Sequence, residues 1–205
     1  MKTVGQCAAA IGLLLYLFGG SAVAGEEWSL SYSLEAQGNY AKAIQALSPV
    51  VKEDPNNEFA RLRVAWLKYL NKDYNASIRD YQRALAINEL SLDAMLGTTL
   101  PLLAQGRWRE AEKAANAVLD IAPWNYYAHL RLLAAIEGQA QWDALAERAR
   151  ALSVRYPSDA TAIVYIARAE ARRGNTKAAI DAYTAVLARV PGHVEATGYL
   201  ANTAD

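Results

Sequence analysis

From residue 25 onward, apolar side chains recur at intervals of roughly three to four positions, in blocks separated by short polar or glycine-bearing breaks. In 92–125, Met95, Leu96, Leu100 and Leu103 form one stripe, and Gln105-Gly106-Arg107 interrupts it. Trp108 opens a second block, whose stripe of Ala111, Ala115, Val118 and Leu119 runs on to Pro123. The pattern predicts two helices joined by a turn where glycine takes positive φ, then a proline that cannot continue the second helix. The same grammar reads from 160–193, with Gly174 at the inner turn and Pro191 at the outer one.

The blocks repeat with a period of 34 residues. Tyr40, Tyr74, Trp108, Trp142 and Thr176 form one column, and Pro55, Glu89, Pro123, Pro157 and Pro191 another. Gly38, Lys72, Gly106, Ala140 and Gly174 form a third, and Ala43, Ser77, Ala111, Leu145 and Ala179 a fourth. No insertion disturbs the register over five units, 24–57, 58–91, 92–125, 126–159 and 160–193. A hairpin this thin cannot bury its own apolar face, so the units are expected to stack, with a short helix over 194–203 closing the array through Tyr199 and Leu200.

These residues resemble the tetratricopeptide repeat (TPR) family. Its 34-residue unit has small residues near positions 8 and 20, an aromatic near 17 and proline near 32. Ala65 and Ala167 fit the first small slot, and Ala43, Ala111 and Ala179 the second. Tyr40, Tyr74, Trp108 and Trp142 fit the aromatic slot, and Tyr81 and Tyr183 a later one. The resemblance implies an all-α, right-handed superhelical solenoid of about five helix-turn-helix hairpins plus the short C-terminal helix. Departures stand out. Glu89 in a proline column suggests a longer or looser turn between units two and three. Leu145 in a small slot is paired with Ala149 where a ring is usual, which reads as a volume exchange. Ser31 and Leu34 make the first helix of unit one a poor match. Pro101 lies inside a first helix, four residues after Gly97, and predicts a kink there.

Ahead of the repeats, residues 1–24 carry Lys2, an apolar stretch over Ala8–Phe18, small residues, and Ala22-Val23-Ala24 as a cleavage site. This is the pattern of a secretory signal peptide, and it predicts export, to the bacterial periplasm. The competing reading is an uncleaved anchor, since Thr3–Gly25 holds no charge and has about the length of a bilayer span. Cys7, the single cysteine, precedes the apolar stretch and so cannot be the lipid-bearing first residue of a processed lipoprotein; residues 25–205 contain none and are expected to be held by packing alone.

Charge and chemistry narrow the function by exclusion. The 21 basic and 21 acidic residues balance, which argues against nucleic-acid binding. Two histidines, His129 and His193, stand apart from any ligand partner, and no phosphate loop, nucleophile elbow or zinc-protease motif is present. No catalytic residue, cofactor or metal site is assigned, and the chain is read as a non-enzyme. Transferring the family's groove-facing positions gives Trp28 and Tyr32 in unit one, and Phe59, Leu62, Trp66 and Tyr69 in unit two. It gives Leu96 and Leu100 in unit three, Tyr127 and Leu130 in unit four, and Arg168 and Arg172 in unit five. The groove is thus expected to be aromatic at its start and basic at its end. Such anchors suit a peptide or helix from a protein partner. The alternatives are sugar rings of an exported polysaccharide, or rings buried between hairpins that meet no ligand. The family's carboxylate clamp of Lys, Asn and Arg is absent. Unit one carries a net −3 and unit five a net +3, so head-to-tail self-association is a further expectation.

Overall fold

The computed structural model describes residues 20–203, with side chains from residue 25 onward. It is built of helices: α1 (Gly20–Ala36), α2 (Tyr40–Ala46), α3 (Ser48–Glu53), α4 (Glu58–Leu70), α5 (Tyr74–Ile87) and α6 (Leu92–Ala104), followed by α7 (Trp108–Ile121), α8 (Tyr126–Gly138), α9 (Trp142–Arg155), α10 (Ala160–Arg172), α11 (Thr176–Leu187) and α12 (Val194–Asn202). Consecutive helices pair as antiparallel hairpins, and each hairpin leans on the next, so the chain forms an all-α solenoid. Most of the leader lies outside the described residues, but α1 begins at Gly20 and runs through Ala24.

Each hairpin turns by one device. The second residue after the first helix adopts a left-handed conformation in all five units: Gly38 (φ 74°), Lys72 (64°), Gly106 (68°), Ala140 (56°) and Gly174 (79°). Around it two backbone bonds close the helix end. In unit three the Gly106 N–H donates to the Leu103 carbonyl (3.0 Å) and the Arg107 N–H to the Leu102 carbonyl (3.0 Å), the geometry of a Schellman motif. The same pair of bonds recurs in the other four units.

The turn between units is set by a cap. Asn57, Ser91, Asn125, Asp159 and His193, spaced by 34, each accept a backbone N–H in the first turn of the next helix. This satisfies one of the orphan donors of the helix start. His193, which has no ligand partner in the sequence, caps α12 through Nδ1. The cap also explains why Glu89 does not loosen its turn. Asn88 (φ −138°, ψ 98°) leaves α5 with dihedrals close to those of Asp54, Ala122 and Tyr156 after the second helices of units one, three and four. The four-residue link is likewise no longer than its counterparts.

Packing follows two columns. At the first small slot Ser31, Ala65, Thr99, Leu133 and Ala167 are all buried, and at the second Ala43, Ser77, Ala111, Leu145 and Ala179 are too. Ser31 thus fits its column despite its polarity. Ser77 shows how close the helices come, since its hydroxyl donates to the Ala65 carbonyl at 2.8 Å. In unit four Leu133, Leu145 and Ala149 share one buried cluster with Leu132, Ile136 and Leu152. Burying each of these leucines is worth about 2 kcal/mol. At the far end Tyr199 and Leu200 of α12 pack on Ile163, Val164 and Tyr183.

Two features depart from the simple hairpin. The second helix of unit one is split at Leu47, and Pro49 enters the first turn of α3, where a missing N–H costs nothing. Helix α6 continues unbroken through the buried Pro101. Gly97 has a reason of its own: a Cβ there would overlap the ring of Tyr81 from the preceding unit.

Candidate binding groove

The first helices α1, α4, α6, α8 and α10 line one face. Trp28 and Phe59 stack across the seam between α1 and α4, with centroids 4.9 Å apart and planes 29° apart. One turn further along that seam, the Arg63 guanidinium lies 3.9 Å from the centroid of the Tyr32 ring and pairs with Glu35. Glu35 also accepts a 2.7 Å hydrogen bond from the indole N–H of Trp66. Trp66 neighbours Tyr69 at 5.6 Å, and Tyr69 neighbours Tyr74 at 6.0 Å. One carboxylate, Glu35, thus fixes both an arginine and an indole.

Exposure along the expected register is uneven. Phe59 is 57% exposed, Tyr32 48% and Tyr127 60%, while Trp28, Leu62, Trp66, Tyr69, Leu96, Leu100 and Leu130 are half-buried. The rings therefore pack side by side and keep a face toward solvent. Arg168 and Arg172 do not make a basic end. Arg168 donates to Glu195 (2.6 and 2.8 Å) and reaches Glu137 at 3.3 Å, so two carboxylates neutralise it. The hydrogen bond from Arg168 holds the Glu195 carboxyl below the usual range, and its partner guanidinium titrates above its own. Tyr183, whose ring lies 4.6 Å from that of Tyr199 at a tilt of 34°, donates to the same Glu195 (2.7 Å). Arg172 remains exposed, 5.6 Å from the Trp142 ring centroid.

Elsewhere the polar groups serve the fold. Glu170 is 1% exposed and bonded by Arg150, Arg173 and Asn175. Burial alone pushes its carboxyl up, but the Asn175 hydrogen bond and the two arginine charges outweigh that, and it titrates below an ordinary glutamate. Asp80, also buried, pairs with Lys68 and Arg83. His129 meets the Pro123 carbonyl at 2.9 Å. Among the described residues no cluster of His, Cys, Asp or Glu is arranged to hold a metal ion, and no helix is long and apolar enough to cross a membrane. A cleft of about 620 Å³ opens on the side of the second helices, between α5, α6 and α7, away from the aromatic seam.

The tetratricopeptide repeat model matches residues 29–91, 137–194 and 166–204, more than half the chain. The chain belongs to the tetratricopeptide repeat family. No curated protein matches it in sequence. Among solved structures it is similar to MamA from Desulfovibrio magneticus RS-1, at 17% identity over 84% of this chain and 97% of that one, with a TM-score of 0.75. It is also similar to PilW, described as a widely conserved type IV pilus biogenesis factor (18% identity, 90% and 89% covered, TM-score 0.73). A third is YrrB, described as a TPR protein with an unusual peptide-binding site (13% identity, 84% and 89% covered, TM-score 0.70). At these identities the likeness is one of fold.

Proposed function

We propose that this TPR protein is a non-enzymatic scaffold that docks a peptide or helical segment of another protein in its concave groove. We place it in the bacterial periplasm, in the assembly of an envelope or secretion machine. The observation that carries the reading is the seam from Trp28 to Tyr69. There large rings are locked by one another and by Glu35, yet remain open to solvent. Rings already fixed lose little entropy on docking, so more of the burial energy goes to affinity. The leader supports export, and the fold shared with a peptide-binding TPR protein and a pilus biogenesis factor supports the class of role.

Covering the exposed part of the Phe59 ring contributes about 2–3 kcal/mol, from roughly 100 Å² of apolar area. Phe59→Ala and Trp66→Ala are therefore expected to reduce capture of a partner from envelope extract at least tenfold, with the helical circular dichroism retained. Capture unchanged by both substitutions would refute the groove. A tryptophan fluorescence change on adding oligosaccharide, with no protein captured, would favour the polysaccharide reading instead.

A further inference from the structure

Arg63 is 7% exposed on the floor of the seam. Its Nη1 pairs with Glu35 and the Tyr32 ring covers its face, but Nε and Nη2 are buried with no hydrogen-bond partner among the described residues. Those two N–H groups form the edge of a guanidinium that grips a carboxylate with two parallel bonds. Glu27 and Ser31, on the same stripe of α1 as Glu35, also hold buried polar atoms without partners, and neither bonds Arg63. A buried donor left unmade is costly, so such an edge is either strain or a place kept for a ligand.

The same register position two units on is Arg131, whose Nε is also buried without a partner and which has no ion pair among the described residues. Arg168, by contrast, is saturated by Glu137 and Glu195, so open arginine edges are not general in this groove. Between the two arginines that register position is Gly97, filled by the Tyr81 ring, with half-buried Leu96 and Leu100 beside it. The floor therefore runs cation, apolar, cation.

We propose that Arg63 and Arg131 read two carboxylates of one docked protein segment, Asp or Glu side chains flanking an apolar stretch. Entry at Arg63 requires the half-exposed Tyr32 ring to turn aside. Neighbouring helices pack about 8–10 Å apart, so two units span roughly 16–20 Å. An extended chain covers that distance in about five or six residues. The inference rests on the groove reading above and narrows its partner to an acidic–apolar–acidic segment.

The test is fluorescence anisotropy of the full chain with labelled, C-terminally amidated decaglutamate, which offers carboxylates at every spacing. Arg63→Gln and Arg131→Gln are each expected to weaken binding at least tenfold. Arg63→Lys keeps the charge beside Glu35, and so the fold, but loses the forked edge, and is expected to weaken binding comparably. Arg109→Gln removes the same charge from the exposed face of α7 and is expected to stay within twofold. The proposal is overturned if the Arg63 and Arg131 variants bind like the parent, if Arg109→Gln costs as much as they do, or if oligogalacturonate binds as tightly as decaglutamate. Partner capture that depends on Phe59 but survives Arg63→Lys would leave the groove standing and remove the carboxylate reading alone.

Discussion

Ala140 holds φ at 56° in the turn between α8 and α9, a conformation its Cβ resists and a glycine takes freely. For a non-glycine residue that conformation costs about 1–2 kcal/mol. Glycine at the same place gives back part of this, since its freer unfolded chain costs about 0.4–1 kcal/mol. The side chain is exposed, so no packing is lost on truncation. Ala140→Gly is therefore expected to stabilise the protein by about 0.5–1 kcal/mol. For a chain of this size that raises Tm by roughly 2–4 °C per kcal/mol. Urea unfolding followed by circular dichroism measures it, with Gly174→Ala (φ 79°) as the mirror-image control, expected to lose a similar amount. Lys72→Gly is expected to behave like Ala140→Gly. If Ala140→Gly destabilises while Gly174→Ala is neutral, the left-handed turn is not the element that joins the helices.

Three further outcomes follow from the packing. Gly97→Ala, worth about 1 kcal/mol of helix propensity in open surroundings, is instead expected to destabilise by about 1–3 kcal/mol, because its methyl meets the buried Tyr81 ring; a thermal melt decides the sign. Asn125→Ala removes the cap on Ala128 (3.0 Å) and is expected to cost about 1 kcal/mol, with hydrogen exchange rising first at the start of α8. Glu170 titrates below its unfolded value, so its contribution is complete at neutral pH and drains away as pH falls through its lowered pKa. Glu170→Gln is expected to cost about 1–3 kcal/mol at pH 7, and the gap to the parent in urea midpoint is expected to shrink below about pH 4. A gap independent of pH would mean the ionised carboxylate is not what stabilises α9 against α10.

The period and the small-residue columns were readable because backbone approach admits few residue types: Ser77, Ala111 and Ala179 show it directly. The cap column lay in the same 34-residue register but went unread, because Asn, Ser, Asp and His share only an acceptor atom, not a size or hydropathy. Glu89 misled because the proline beside each turn restricts the chain without making the turn; the extended residue after the helix and the cap do that. Phe59 and Tyr127 are exposed, since which way a first-helix residue faces follows from helical phase, but phase alone does not say how far the other positions are covered by their neighbours. The electrostatics of the groove did not transfer. Arg168 is neutralised by Glu137 and Glu195, 31 and 27 residues away on flanking first helices, and no local pattern in the chain marks such a pairing.

The account stands on the concave seam being where a partner meets this protein. Site-specific photo-crosslinkers placed at Phe59 and Leu130 on the groove, and at the highly exposed Val154 on α9, test it directly in living cells. The account predicts protein adducts from positions 59 and 130 that vanish with Trp66→Ala, and none from 154. Adducts from position 154 with silence at 59 and 130 would contradict it.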